Sequence, residues 1–267
     1  MRKKKMLIKM ILGFAAIAVV SLSGNIAKAA LKDELRDPYL NSFKGKKVAF
    51  LPIAMGFDLT EGWAAGIKAA ADKFGFEFII RDPNWNTNAG TQALTSLIAE
   101  KPDIIVVHNP DVQSYARLLK KAEKAGINII QVNMKSSYST NAYVGADWFE
   151  IGEVGAEELV KRCGKGSGKS GKVALIQGPL TGAASVYQVN GVMNVLSKHK
   201  DITIVANQAA DWDASKAKAI TQTVLQQHPD LCAVYGFWDV MTLGSSAAVK
   251  EAGKTGEVAV LTNGGGN

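Results

Sequence analysis

From residue 47 onward the chain alternates two kinds of pattern. Short continuous apolar runs stand at residues 48–53, 76–80, 104–107 and 127–132, with helix-spaced apolar positions between them at 58–74, 87–100 and 111–125. A continuous apolar run of this length suits a strand covered on both faces. The helical stretches carry their own punctuation. Asp58-Leu-Thr-Glu61 places an acid three residues after a capping residue, and Gly75 and Gly126 stand where helices exit. A second series is helical at 148–162, 183–198, from the cap Asp213 to 227, and from the cap Asp239 to about 252. Its apolar runs lie at 173–176, 202–206, 232–235 and 258–261. Alternation in this order predicts an α/β fold with parallel sheets and helices on both faces.

The second series repeats the first. Lys47-Val-Ala-Phe-Leu51 matches Lys172-Val-Ala-Leu-Ile176, and Pro102-Asp-Ile-Ile-Val-Val107 matches Pro229-Asp-Leu-Cys-Ala-Val234. Asp82-Pro-Asn-Trp-Asn86 aligns with Ala209-Ala-Asp-Trp-Asp213. The paired tryptophans and the paired prolines share one separation of 127 residues, which argues for duplication. Between the copies stands an unrepeated stretch, Asn141-Ala-Tyr-Val-Gly-Ala-Asp-Trp148. The expected organisation is therefore two similar lobes, residues 47–144 and 145–267, joined by a crossing strand at Tyr143-Val144-Gly145, with a ligand between them. Residues 30–46 read as a polar lead-in of weak organisation. By the same logic the chain should cross back and complete both lobes. The second lobe is thus expected to be incomplete, and the sequence to be C-terminally truncated, without its final crossover.

The formal charge of +7 points to an acidic partner until its location is considered. Arg2, Lys3, Lys4, Lys5, Lys9 and Lys28 lie in a first segment without acids, and beyond it 25 basic residues face 24 acidic ones. No nucleic-acid partner is implied. That segment is basic at 1–9, apolar at 11–20, and ends in Ala27-Lys28-Ala29. This is the layout of a secretory signal peptide, residues 1–29, and its apolar run is too short to span a bilayer. A free, exported protein is expected. Export places Cys163 and Cys232 where disulfides persist, and both lie in the second lobe. A bond at the base of that lobe and two buried free thiols are both open readings, because sequence gives no distance.

Gly66-Ile-Lys-Ala-Ala-Ala-Asp-Lys-Phe-Gly75, Pro102-Asp-Ile-Ile-Val-Val-His-Asn-Pro110, Ala209-Ala-Asp-Trp-Asp213 and Asp239-Val-Met-Thr-Leu-Gly244 carry a resemblance. Taken in order, residues 46–267 resemble the type I periplasmic sugar-binding proteins of ABC importers, the ribose/galactose-binding class. The resemblance implies two Rossmann-like lobes, several hinge crossings and closure around a sugar. It places ligand positions near Phe57, Leu59, Thr60, Asn109, Asn133, Met134, Gln188, Trp212, Trp238 and Asn263. Independently, ligands of open parallel sheets bind outside the carboxyl ends of the strands, which selects the same loops and adds Asp58 and Asp239. Sugars need planar polar groups for hydroxyls and aromatic faces for C–H surfaces, and Asn, Asp, Gln and Trp supply these.

Several positions depart from the ribose-type pattern. Leu59 and Thr60 replace stacking phenylalanines, Asn133-Met134 replaces Asp-Arg, Gln188 replaces Arg, and Asn263 replaces Asp. Charge-assisted hydrogen bonds are stronger than neutral ones, so this exchange points away from ribose and galactose. It favours a less hydroxylated, larger or more apolar sugar-like molecule. Plainer roles compete at each position. Core packing competes at Trp212, Trp238 and Met134, helix capping at Asp58 and Asp239, and a turn at Asn109 and Asn133. Trp85, the counterpart of Trp212, is read as packing, and Gly264-Gly-Gly266 as a loop.

Gly164-Lys-Gly-Ser-Gly-Lys-Ser170 looks like a phosphate loop, but it follows a helix and precedes a strand, the reverse of the required order. His108, His199 and His228 lack zinc-ligand spacing, and no nucleophile has an evident base partner. No catalytic residue, metal or cofactor is therefore expected. The reading is a monomeric exported receptor that hands a sugar-like solute to an ABC transporter permease. The alternative is a periplasmic sensor presenting the same closed form to a chemoreceptor or kinase.

Overall fold

The structure is a computed structural model and describes residues 34–265. The expected signal segment and Gly266 lie outside the described residues. The chain divides into two units, one ending at Ser42 and the other running from Phe43 to Asn267. The described part of the first unit contains a short helix, α1 (Arg36–Asn41), where the sequence showed only weak organisation.

The second unit holds two parallel sheets. In the first, β1 (Lys47–Leu51), β2 (Glu77–Ile80), β3 (Ile104–Val107), β4 (Asn128–Val132) and β5 (Ala142–Val144) lie in the order β2-β1-β3-β4-β5. In the second, β6 (Lys172–Gln177), β7 (Thr203–Ala209), β8 (Ala233–Gly236) and β9 (Ala259–Thr262) lie in the order β7-β6-β8-β9. The two orders are the same once β5 is set aside, so the repeat seen in sequence is also a repeat of topology. The helices between the strands are α2 (Asp58–Phe74), α3 (Thr87–Glu100) and α4 (Ala116–Lys124) in the first lobe. The second has α5 (Trp148–Cys163), α6 (Ala183–Leu196), α7 (Ala214–Gln227) and α8 (Asp239–Glu251).

Burial follows the two-residue period of strands. Val173 and Leu175 of β6 join a core with Leu159 of α5 and Val192 of α6. Their neighbours Ala174 and Ile176 join the opposite core, with Val224 of α7 and Met241 of α8. In the first lobe Ala49, Leu51, Ile105 and Ile129 pack with Leu94 and Leu97 of α3 and Leu119 of α4.

Cys163 ends α5 and Cys232 precedes β8, and their sulfurs are bonded, with Cα atoms 5.9 Å apart. Both belong to the α5–α6 side of the second core.

Three local expectations need correction. α4 starts at Ala116, not at 111, because the Asp111 carboxylate accepts from the amides of Gln113 and Ser114 and holds the chain in a turn. Asp58 and Asp239 are the first helical residues, not caps. The cap positions are Phe57 and Trp238, neither with a capping side-chain bond. At α2 it is Glu61 that reaches back, accepting from the Gly56 amide at 2.9 Å.

Candidate functional site

The carboxyl ends of both sheets converge on one apolar seam. Ile53 and Met134 from the first lobe pack with Ala183 and Ala184 at the start of α6, flanked by Phe57, Tyr187 and Trp212. The backbone also crosses this seam, where the Val112 amide donates to the Thr181 carbonyl at 3.1 Å. A second aromatic line runs alongside. Phe57 stacks on Trp85 with centroids 5.4 Å apart, meets Trp238 at 6.5 Å, and Trp238 meets Trp212 edge-on at 6.1 Å.

The two repeated tryptophan turns explain how two of these rings are presented. Asn84 and Trp85 have φ of 48° and 63°, and Asp211 and Trp212 have φ of 52° and 64°. Left-handed conformations are uncommon outside glycine, so their recurrence at paired positions marks a shared turn built to aim a side chain. Each turn ends in a helix cap. Asn86 accepts from the Ala89 amide at 2.9 Å, and Asp213 accepts from the Lys216 amide at 2.9 Å.

Polar groups line the same strand ends. Asn109 is fully buried, and its Nδ2 donates at 2.8 Å to both Gln131 Oε1 and the Met134 carbonyl. A backbone carbonyl partner fixes the amide orientation, so Oδ1 is the free end, and it has no hydrogen-bond partner among the described residues. Asn133 adopts φ of 60°, which asparagine tolerates, and its carbonyl accepts from Tyr143 Oη and Trp148 Nε1. Its Nδ2 lies 3.3 Å from His108 Nε2. With Nδ2 donating, Nε2 accepts and the ring proton sits on Nδ1, which has no partner among the described residues. Burial holds His108 neutral, with its pKa pushed down to about 3.

In the second lobe Gln188 Oε1 accepts from Asn263 Nδ2 at 3.0 Å, and the Tyr235 hydroxyl lies 3.3 Å from the same oxygen. Gln188 Nε2 and Asn263 Oδ1 remain without partners among the described residues, as does the hydroxyl of Ser185 one turn earlier on α6. Flipping both amides leaves the same balance, one bare NH₂ and one bare carbonyl. Close helix packing places Gln188. A Cβ on Gly152 of α5 would come within 2.2 Å of the Gln188 carbonyl, so only glycine lets α5 approach α6 there.

The expected ligand positions thus fall into three groups. Phe57, Met134, Trp212 and Trp238 meet in the seam and its aromatic line. Asn109 and Asn133 form a polar set at the end of the first sheet, and Gln188 and Asn263 form a pair at the end of the second. No hydrogen bond joins these two polar groups among the described residues. Thr60 is fully buried, with its hydroxyl turned back to the Phe57 carbonyl at 3.3 Å. Leu59 and Asp58 are exposed. The Asp239 carboxylate accepts from the Val240 amide and sits against Gly264.

Trp85 corrects the sequence reading. It is 52% exposed, not packed in a core, and it lines a cavity of about 150 Å³ together with Trp212 and Pro110. A larger hollow of about 470 Å³ lies elsewhere, between α5 and the outer edge of β9, and only Asn263 of the expected residues reaches it. It is lined by the second lobe and the crossing segment alone, whereas the smaller cavity takes residues from both lobes. Ser185 and Tyr187 lie in the 179–188 stretch that sequence places at the strand ends, but only Gln188 was singled out there, because nothing in residue type distinguishes the other two from core or surface of a helix. Gln131 was missed because it lies within an apolar strand run.

The comparisons with known proteins agree with this architecture. The family model described as periplasmic binding protein domain matches residues 48–267. The D-allose-binding periplasmic protein of Escherichia coli (strain K12) is 33% identical over 149 residues, covering 53% of this chain and 47% of that protein. A ribose import binding protein of Bacillus subtilis (strain 168) is 26% identical over 190 residues, covering 71% of this chain and 60% of that protein. An ABC transporter solute-binding protein from Agrobacterium vitis, solved with α-D-tagatopyranose, is 29% identical with a TM-score of 0.70. That match covers 81% of this chain and 76% of the solved one. The chain spans about half the length of the first curated relative and three-fifths of the second. Since the family match runs from the first strand through both sheets, the chain belongs to the periplasmic binding protein domain family.

Proposed function

We propose that the protein is a periplasmic solute-binding protein that captures a sugar or sugar-like molecule between its two lobes and delivers it to an ABC transporter permease. The observation that carries this reading is the set of buried polar atoms without partners at the strand ends. Asn109 Oδ1 and Asn263 Oδ1 are bare acceptors, one from each lobe, while Gln188 Nε2 is a bare donor and Ser185 Oγ serves either way. An anion would meet unpaired carbonyls and a cation would meet an unpaired NH₂. A hydroxyl donates and accepts at once, so a neutral polyhydroxylated ligand matches the whole set. Buried polar groups left unpaired are costly, and a ligand that pairs them gains that cost back as affinity.

The names of the relatives support the same class, since they bind allose, ribose and tagatose. The basic, apolar and small-residue layout of residues 1–29 supports export to the periplasm. The crossing at β5 is the hinge of this proposal, with the lobes at 47–144 and 145–267 turning about it, and the receptor acts as a monomer.

A thermal-shift screen of the full chain against neutral sugars, polyols, sugar acids and amino sugars tests the reading. Neutral members should raise Tm selectively, by about 2.7 kcal/mol of stabilisation at a hundredfold excess over Kd. Stabilisation by sugar acids alone, or by nothing in the set, defeats it.

A further inference from the structure

The cavity under Trp85 is not accounted for by the ligand positions above, of which only Trp212 reaches it. Its volume of about 150 Å³ is walled by Trp85, Trp212, Pro83, Pro110 and Pro179, with Tyr115 at its floor. Asn86, Thr87 and Thr181 add polar groups to this largely apolar lining, and a volume of about this size accommodates a single six-membered ring. Proline and tryptophan present flat, rigid apolar faces, which suit a ring and lose little entropy on contact.

Three features indicate that the space is built rather than left over. Trp85 is a large aromatic held 52% exposed in a left-handed conformation, an arrangement that costs backbone free energy and leaves half of its apolar surface uncovered. Its ring continues through Phe57 to Trp238, so one aromatic surface runs from this cavity to the seam. Tyr115 is 1% exposed, and its hydroxyl lies against Gly90 of α3, where a Cβ would come within 1.6 Å of it. Burial and the nearby Asp111 carboxylate push its pKa up to about 12, so it stays a neutral donor. The Asp111 carboxylate also lines the cavity, but the Gln113 and Ser114 amides occupy it at 2.8 and 2.7 Å. Its charge disfavours an anionic guest.

We propose that this cavity is a second subsite, and that it takes the uncharged, ring-sized aglycone of a glycoside whose sugar is held by the polar groups at the strand ends. The proposal rests on the sugar-receptor reading and extends it. The glycosidic oxygen passes beside Pro110, the residue after Asn109, and the aglycone ring lies between Trp85 and Trp212. Tyr115 donates to any oxygen the ring carries.

Titration calorimetry of the full chain compares D-allose, D-ribose and D-tagatose with the methyl and phenyl glycosides of each. The phenyl glycoside of a bound sugar should bind about tenfold tighter than the free sugar, a gain on the scale of one aromatic stacking contact. Trp85→Ala should abolish that gain, read as the ratio of phenyl glycoside to free sugar within the same variant, whereas Trp85→Phe should keep most of it. Melting of each variant without ligand shows whether it folds, and the comparison within the unmodified protein stands without any variant. Phenyl glycosides binding no tighter than the free sugars would overturn the subsite and leave the receptor reading intact. Equal weakening of both ligand types by Trp85→Ala would make Trp85 scaffold and also overturn it. Binding of none of the sugars or glycosides would remove both.

Discussion

The two tryptophan turns are the sharpest comparison the molecule offers. Both carry a residue pair with positive φ, both end in an Asn or Asp cap, and both lead into a helix of 14 residues. The fates of the rings differ. Trp85 stands 52% exposed over a cavity, while Trp212 is half-buried and packs into both cores of its lobe and the seam. The difference traces to one position beneath each ring. A Cβ on Gly178 would come within 2.1 Å of the Trp212 ring, so the indole lies where a side chain would otherwise be. Aligning β1 with β6 at Lys47 and Lys172 puts Ile53 opposite Gly178, and Ile53 is a buried seam residue. The same local turn therefore yields a packed ring in one lobe and a presented ring in the other.

The lobes differ most in covalent support, so the largest predicted effect is there. Cys163 and Cys232 are 69 residues apart, and closing a loop of that size stabilises by about 4 kcal/mol in the chain-entropy view. Urea unfolding of the Cys163→Ser/Cys232→Ser variant should show that loss, with the tryptophans of the second lobe reporting the earlier transition. An unchanged midpoint under reducing and oxidising conditions would mean the bond contributes nothing.

Gly178→Ala tests the comparison directly. It forces the Trp212 ring outward and should cost about 2–3 kcal/mol by overpacking. Tryptophan emission should shift to the red as the ring becomes wetter. Emission and midpoint that both stay unchanged would show that Gly178 is not what lets Trp212 lie down.

The third effect belongs to the first lobe and is read by pH. His108 has a folded pKa of about 3 against an ordinary 6.5. The unfolded chain therefore binds more protons between those values, and stability falls as pH drops through that window. From pH 7.5 to pH 5 the loss from this group is about 2 kcal/mol. His108→Gln should flatten the dependence by that amount relative to the parent, in paired denaturation curves at the two pH values.

The smallest effect should be equal in the two lobes. Asn86→Ala and Asp213→Ala each remove one capping bond and should each cost about 1 kcal/mol. Unequal losses, outside the error of matched thermal melts, would show that the two turns are not equivalent.

Much of the fold was legible before any coordinates. Continuous apolar runs marked the strands, and the repeat marked the lobes, because strand burial on both faces leaves a compositional trace. Helix starts were less legible. Asp58 and Asp239 have the right chemistry for caps but lie one residue inside, and Asp111 makes a turn where a helix was expected. Short polar side chains serve caps, first turns and loops by the same hydrogen bond, so residue type alone does not separate them. The candidate site was placed from sequence on a set of loops, since strand polarity in an open sheet dictates which ends face a ligand. The partners of Asn109 and Gln188 were not, because Gln131, Met134 and Asn263 reach them only after distant segments are brought together.

The sequence by itself determined the parallel α/β architecture and the duplication with its paired tryptophans, for these rest on local periodicity and on a repeat at one fixed separation. The tertiary structure alone decided which tryptophan packs into the cores, whether Cys163 meets Cys232, and which polar atoms stay unpaired among the described residues. Each of those depends on what occupies the space a few ångströms away, and that neighbour stands tens of residues off along the chain.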